Sequence, residues 1–389
     1  MAWIRLCIVG GALQGMEAAF LARKAGYETV LIDRRPDAPA LSLCDEPHVL
    51  DPVTDGELAL SIFETCDAVL PACENLDLLK ALVDVLDGEG IPLLFDPHAY
   101  ATSQSKLLSN ELMRSAGVPL PGRWPDCGFP VVVKPSSQSG SVGVTVAHSE
   151  EEVEAGLEKV RSLGDSPVVQ EFVSGRSVSI EVIGDGSGAT AYVTTEVVLD
   201  EGYDCKEVRC FPGILGEGDE RELRECSEAT ARAMGLSSLM DVEAILTDGG
   251  LRFLEVDARI PSQTPAAILT ATGLNLLDEM VRRGLGLPAG APPREGSGIY
   301  WHLHFKDGVL ETTGEKEFSR VASPRFDQGL FGSDDSISDY SPGKAEWRGT
   351  FMVSGRTPGE AEDRRLSVIR AIMGECGCRE FADRSPKEA

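Results

Sequence analysis

The chain has 389 residues, 42% of them hydrophobic, enough for two or three domains with ordinary folded cores. A formal net charge of -27 excludes a sequence-independent binder of nucleic acid or of anionic membrane, because the long-range field repels phosphates, so any phosphate site must be built locally. Ten scattered cysteines with no Cys-x-x-Cys pair exclude a zinc module and a small disulfide scaffold, and they fit a reduced, cytoplasmic compartment.

Residues 5–9 read as a buried strand, Gly10-Gly11 as a tight turn, 13–25 as a helix and 29–32 as a parallel partner ending at Asp33, which makes a βαβ opening. Glu17 interrupts the apolar N-terminal run, so the run is structure and not a signal peptide, and no apolar stretch reaches membrane-spanning length. Gly10, Gly11 and Gly15 lack the dinucleotide-fingerprint spacing, although Asp33 stands where such folds keep a ribose-binding acid. Leu13 and Gln14 lie at the carboxyl end of the first strand, where open α/β sheets bind ligands. A strand at 48–50, a helix at 56–66 and a strand at 68–71 follow. The last runs into Glu74 and Asn75, which read equally as ligand residues or as a helix cap. A strand at 91–95 closes this first domain near Pro97.

Residues 102–117 are expected to form one amphipathic helix carrying Lys106 and ending in Gly-Val-Pro. The strand 131–135 carries Lys134 and enters a Ser/Gly loop, 136–143. Its Gly140 and Gly143, set among Ser139 and Ser141, let backbone N–H groups approach phosphate oxygens. The loop lacks Gly-Lys-Ser/Thr and is no Walker loop. A strand at 144–147 and a helix at 150–163 precede two strands joined by Ser174-Gly175-Arg176, the second with Ser179 and Glu181 at alternating positions. Residues 195–205 and a helix around 220–234 lead into a hairpin.

That hairpin, residues 240–265, has two apolar runs flanking Asp248-Gly249-Gly250. A two-residue turn would set Glu243 opposite Leu254; a three-residue loop, 248–250, sets Glu243 opposite Glu255 and Asp241 opposite Asp257. The second is expected, with Val242, Ala244, Leu246, Leu254 and Val256 covering the other face. Four carboxylates on one face repel and lose hydration unless cations compensate them, and Glu243, Glu255 and Asp257 suit oxygen-ligated Mg²⁺. Arg259 continues that face, available to a phosphate. By itself the hairpin also reads as a solvated acidic face. Beyond it come a helix at 274–283, a linker at 290–293, and a strand on which His302 and His304 share a face without an evident third metal ligand. Residues 385–389 read as a frayed tail.

Lys106 before Gly-Val-Pro, Val-Val-Lys134-Pro with its Ser/Gly loop, Gln170-Glu171-Phe172-Val173, and Glu243 with Glu255-x-Asp257-x-Arg259 stand in one order. As a set they resemble the ATP-grasp ligase superfamily across roughly residues 1–290. The resemblance implies an α/β ATP-grasp fold: an N-terminal Rossmann-like parallel-sheet domain (1–97), a central lid domain (98–172) and a C-terminal α+β domain (173–389). It implies that Lys106 and Lys134 contact ATP phosphates, with Lys134 and Arg259 serving catalysis. The loop bearing Ser139, Gly140, Ser141 and Gly143 closes over the phosphates, Gln170, Glu171, Phe172 and Val173 hold adenine, and Glu243, Glu255 and Asp257 hold two Mg²⁺ ions. Where many members carry an acidic ribose-binding residue, this chain has Ser177.

Within the superfamily, GG-x-LQG-x-EAA (10–19), ENL (74–76), YDC (203–205), MDVEAI (240–245) and DAR-x-PSQTP (257–265) are similar to one branch, the 3-methylornithine–L-lysine ligases of pyrrolysine biosynthesis. That family carries a basic residue where Ala12 stands, and the last hundred residues match it less clearly. The resemblance implies phosphorylation of the 3-methyl-D-ornithine carboxylate by ATP and attack of the L-lysine side-chain amine on the acyl phosphate. Leu13, Gln14, Glu74 and Asn75 would bind lysine, Ser179 and Glu181 the ornithine-like partner, and Asp204, Ser262 and Thr264 an amino acid's carboxylate or ammonium. A small-molecule enzyme with no nucleic-acid or membrane partner is implied, and a homodimer is compatible with it. The alternatives are another ATP-grasp amino-acid or dipeptide ligase, and a nicotinamide-dependent oxidoreductase built on the opening βαβ unit.

Overall fold

The computed structural model describes residues 4–140 and 142–386. The chain divides into two compact units, one of Met1–Pro97, Val197–Ile214 and Ile260–Ala389, the other of His98–Glu196 and Leu215–Arg259.

The first unit opens with β1 (Arg5–Val9), α1 (Leu13–Ala25), β2 (Glu28–Asp33), β3 (Glu46–Val49), α2 (Gly56–Phe63), β4 (Ala68–Pro71) and α3 (Leu76–Leu86). The strands form a parallel sheet in the order β3-β2-β1-β4, filled by Cys7, Val9, Val30, Ile32, Val69 and the helix residues Phe63 and Leu82. Gly15 lets α1 lie against the first turn, since a Cβ there would meet the Gly10 carbonyl at 2.1 Å. The strand expected at 91–95 is reduced to a single bridge, Leu93 to Val69. Pro92 has no N–H to give a ladder and offers only its carbonyl to the Val69 N–H.

In the second unit the single helix expected at 102–117 is two, α4 (Pro97–Ser103) and α5 (Lys106–Ser115). Ser105 breaks the run because its hydroxyl accepts from the Leu108 N–H and starts a new helix. There follow β5 (Val131–Pro135), β6 (Thr145–Ala147), α6 (Glu150–Ser162), β7 (Pro167–Glu171), β8 (Arg176–Gly184) and β9 (Ala189–Leu199). Strands β6-β5-β7 make a small antiparallel sheet on which α6 packs through Val153 and Val160. After β10 (Cys205–Cys210), which belongs to the first unit, come α7 (Glu217–Met234), β11 (Leu239–Thr247) and β12 (Gly250–Asp257). Strands β12, β11, β8 and β9 lie in that order, the first three antiparallel.

The hairpin corrects one expectation and keeps its consequence. Thr247 pairs with Gly250 across a two-residue turn at Asp248-Gly249, and not across a three-residue loop. A register shift beyond Glu243/Ala244 then leaves Leu254 unpaired, so Glu243 still faces Glu255 and Asp241 faces Asp257. The buried side of β12 is Leu251, Phe253 and Val256; Leu254, expected there, is the bulged residue and only half-buried.

The first unit resumes with α8 (Thr264–Thr272), α9 (Leu276–Gly284), β13 (Ser297–Lys306), β14 (Val309–Thr312), α10 (Glu315–Phe318), β15 (Arg325–Gln328), β16 (Asp335–Ser338), β17 (Glu346–Gly355), α11 (Pro358–Cys376) and β18 (Glu380–Ala382). Helix α8 has no counterpart in the sequence reading: its buried run Pro265 to Ile268 is apolar without helical period. Strands β10-β13-β17-β16-β15 form one antiparallel series, and Trp301, Leu303, Trp347 and Phe351 pack on α11 through Val368, Ile369 and Ile372. Ser385 is not frayed: Lys206 Nζ, almost fully buried, donates to Asp383 Oδ1 (2.6 Å), the Arg384 carbonyl (2.6 Å) and Ser385 Oγ (3.0 Å).

Candidate active site

The second unit gathers the charged residues expected at a nucleotide. Because β8, β11 and β12 pair Ser179 with Glu243, Glu243 with Glu255, Glu181 with Asp241 and Asp241 with Asp257, all six side chains project from one sheet face. Sequence reasoning placed Ser179 and Glu181 at a substrate; the register also makes them neighbours of the carboxylates expected to hold metal. Glu181 is fully buried, and Ser179 Oγ is buried without a hydrogen-bond partner among the described residues.

Cations meet this face from two directions. Lys106, first residue of α5, sets Nζ 3.0 Å from Glu255 Oε2 and donates to the Gln138 carbonyl at 2.9 Å. Arg259 Nη2 lies 3.1 Å from Asp257 Oδ2, and Nη1 lies 3.9 Å from Asp241 Oδ1. Lys134 on β5 is buried; burial lowers its pKa, and Lys106 adds to that, against the pull of Glu255 and Glu243. Burial also opposes the charge on Lys106, but Glu255, Asp257 and Glu243 outweigh it and raise its pKa.

The carboxylates respond unequally. Glu243 is pushed up to about 8 by burial, then by Glu255 and Asp257, while burial and Asp257 push Asp241 well above the usual range. Burial works against Glu255 as well, yet Lys106, Lys134 and Arg259 hold it below that range. A divalent cation fits this donor set: it would restore the ionised forms, and the buried Asp241 Oδ1 lacks a hydrogen-bond partner among the described residues.

The Ser/Gly loop begins beside the lysines. The Ser136 carbonyl accepts from the Lys106 N–H at 2.9 Å, its hydroxyl meets that of Ser105 at 3.2 Å, and Ser137 is held by Asp165 Oδ2. Gly140 and Gly143 both have positive φ, +58° and +75°, as a loop turning N–H groups inward requires. Ser139 lies between Gln138 and Gly140; Ser141 lies outside the described residues. Gln170 and Glu171 end β7, and Phe172 and Val173 follow it. The Glu171 side chain is taken up by the Gly122 N–H at 2.9 Å and the Phe172 N–H by the Pro130 carbonyl at 3.0 Å, so this edge is firmly held.

The remaining candidates belong to the first unit. Asp33 closes the first turn, Oδ2 accepting from the Gly11 N–H (2.6 Å) and Oδ1 from the Arg35 N–H (2.8 Å), which gives an acid there a structural role. Leu13 and Gln14 start α1, and Gln14 Nε2 reaches Glu74 Oε1 at 3.2 Å. Gln14 Oε1 is buried without a partner among the described residues, an acceptor suited to an ammonium. Asn75 is the N-cap of α3, its Oδ1 accepting from the Leu78 N–H.

Asp204 and the Ser262–Thr264 segment both meet the start of α10. Asp204 Oδ2 accepts from the Lys316 N–H at 2.9 Å, while Ser262 Oγ and Gln263 Nε2 donate to Glu315 Oε2 at 3.3 and 3.0 Å. The sequence reading missed Glu315 and Glu17, whose carboxylate accepts from the Gln263 N–H and the Tyr300 hydroxyl. Only a charge inside an apolar helix run marked Glu17. His302 is buried, hydrogen-bonded to Thr350 and stacked on Phe318, with its pKa pushed down to about 3 by burial. His304 does have further potential ligands nearby, Glu317 and Glu346, which the sequence did not reveal; Arg348 bonds both and compensates them.

Residues 103–263 match the ATP-grasp domain family. The chain is 35% identical to the 3-methyl-D-ornithine–L-lysine ligase of Methanosarcina acetivorans over 96% of this chain and 98% of that protein. It is 38% identical to the Methanosarcina barkeri ligase of the same name, over 95% and 98%. Among solved structures, biotin carboxylase from Campylobacter jejuni, crystallised as a β,γ-ATP complex, superposes with a TM-score of 0.75 at 16% identity, covering 94% of this chain and 91% of that one. That likeness establishes the fold, and the near full-length identity to the two ligases establishes the family: the chain is an ATP-grasp protein and belongs to the 3-methyl-D-ornithine–L-lysine ligases.

Proposed function

We infer that the protein is an ADP-forming carbon–nitrogen ligase that joins the carboxylate of 3-methyl-D-ornithine to the side-chain amine of L-lysine. The product is 3-methylornithyl-N6-lysine, a step of pyrrolysine biosynthesis. The observation that carries this reading is identity along nearly the whole length to ligases named for these two substrates.

In this reading the ornithine carboxylate attacks the γ-phosphorus of ATP, ADP leaves, and an acyl phosphate forms. The lysine side-chain amine then attacks the acyl carbon, phosphate leaves with the C–O bond electrons, and the amine gives up a proton. A carboxylate is a poor electrophile, and phosphorylation supplies the leaving group. Glu243, Glu255 and Asp257 would hold two Mg²⁺ ions, which neutralise charge on the phosphoryl oxygens when bound. Lys106, Lys134 and Arg259 address the remaining phosphate charge. Ser139, Gly140, Ser141 and Gly143 close over the phosphates and exclude water from the acyl phosphate, while Gln170 to Val173 hold the adenine. Gln14 and Glu74 receive lysine beside Leu13 and Asn75, and Ser179 with Glu181 receives the ornithine ammonium.

The test is ADP release from Mg-ATP with L-lysine plus D-ornithine as surrogate, against each amino acid alone, with product mass determined. An isopeptide formed only when both are present is expected. ADP release with a different amino-acid pair would discard the substrate assignment and keep the ATP-grasp chemistry.

A further inference from the structure

Ser262, Gln263 and Thr264 adopt a backbone that L-residues seldom take. Gln263 has φ +71° and ψ -57°, and the Thr264 N–H donates to the Ser262 carbonyl at 2.8 Å. Those angles and that i to i+2 hydrogen bond define a γ-turn of the rare positive-φ kind, which persists only where its surroundings over-determine it. Gln263 is 3% exposed, so solvent does not hold it; its neighbours do.

Two carboxyl groups supply the hold. Glu315 Oε2 accepts from Ser262 Oγ and Gln263 Nε2, but these are side-chain contacts that leave the turn backbone unfixed. Glu17 Oε2 accepts from the Gln263 N–H itself, at the strained residue, and its other oxygen is anchored by the Tyr300 hydroxyl. Glu17 is 1% exposed, and no cation among the described residues shifts its titration, an unusual place for a carboxyl unless the contact matters. The turn ends at Thr264, whose Oγ1 is more than nine-tenths buried with no hydrogen-bond partner among the described residues. A buried hydroxyl in that state lacks a hydrogen bond that a ligand can supply. Three residues before Glu17 on the same face of α1 stands Gln14, whose Oε1 is likewise buried and unpartnered. Helix α1 also packs against α8, which the turn begins.

We propose that Glu17 is a positioning residue which holds the Ser262–Thr264 γ-turn in its strained form, so that Thr264 and Gln14 together receive the α-amino acid that donates the amine. The proposal rests on the ligase reading only for the identity of that amino acid, L-lysine. Glu17 touches no substrate in this account; it acts through the Gln263 backbone.

The test measures binding of L-lysine and of ATP by calorimetry on the full chain, independent of turnover. Glu17→Ala is expected to weaken L-lysine binding at least about tenfold while ATP affinity stays within about twofold. Adding Gln263→Gly to Glu17→Ala should return L-lysine affinity to within about threefold of wild type, because glycine takes positive φ without a clamp. Should Glu17→Ala fail to fold by circular dichroism, Glu17→Gln replaces it. Measured above about pH 8, where Glu17 ionises, the amide has one acceptor oxygen where the carboxylate has two, so a two- to fivefold loss confined to L-lysine is expected. Unchanged L-lysine binding in the folded variant, equal losses for L-lysine and ATP, no recovery with Gln263→Gly, or no L-lysine binding by wild type would each overturn the proposal. If wild type binds L-lysine but releases no ADP with L-lysine and D-ornithine, the ligase reading fails and the role of Glu17 is still decided by the binding series.

Discussion

Glu255 differs from its neighbours because three cations face it: Lys106, Lys134 and Arg259 hold its pKa below the usual range, whereas burial and the neighbouring carboxylates push Glu243 and Asp241 up. Replacing it by glutamine removes the charge that pairs with Lys106 at nearly the same volume. Glu255→Gln is therefore expected to lower ADP release by roughly a hundredfold or more while circular dichroism shows the fold retained; wild-type turnover in that variant would remove Glu255 from the metal set. Glu17 gives a prediction of the opposite kind, about stability. Burial pushes its pKa up to about 8, against the hydrogen bonds from Tyr300 and Gln263. The folded pKa lies above the unfolded one, so its favourable contribution is complete below about pH 4.5 and is lost as pH rises through about 8. The span corresponds to about 5 kcal/mol. Thermal melts from pH 5 to 9 should fall more steeply for wild type than for Glu17→Gln. Parallel slopes would mean that Glu17 ionises normally in the folded chain.

At the scale of elements, the acid face depends on a correction that the sequence did not disclose. Alternation and the demand that Glu243 meet Glu255 were legible, and they led to the right partners by the wrong loop. The structure closes a tighter turn and recovers the register with a bulge at Leu254, an insertion that has no compositional mark. Helix α8 was hidden for a related reason, since a run buried all round shows no 3.6-residue period. The split between α4 and α5 was more readable, because Ser105 is a strong cap residue. Ser105 also contacts the Ser136 hydroxyl, tying the start of α5, and with it Lys106, to the Ser/Gly loop. Ser105→Ala is expected to cost about 1 kcal/mol in urea unfolding and to raise the KM for ATP several-fold. A stability loss with no change in KM would show that the cap does not place Lys106.

For the whole molecule, the parallel-sheet opening, the Ser/Gly loop between strands and the carboxylate hairpin were legible as local patterns with physical causes, and it was the resemblance of the ordered motif set to the ATP-grasp ligases that indicated an α/β ATP-grasp architecture. The parts that escaped are tertiary. Glu17 meets Gln263 and Tyr300 across separations of 246 and 283 residues, and Lys206 meets Asp383 across 177. Nothing in the spacing of such residues announces the contact. The net charge of -27 argues that nucleotide binding relies on local compensation, which under the proposed site a divalent cation and the lysines would supply against both the acid face and the phosphates.

That dependence is open to direct measurement by calorimetric titration of ATP into the full chain with and without Mg²⁺, for wild type and Glu243→Gln. The expected result is that Mg²⁺ tightens ATP binding by about tenfold or more in wild type and much less in the variant. Equal ATP affinity with and without Mg²⁺ in wild type would contradict the assignment of the β8, β11 and β12 face as a metal–nucleotide site.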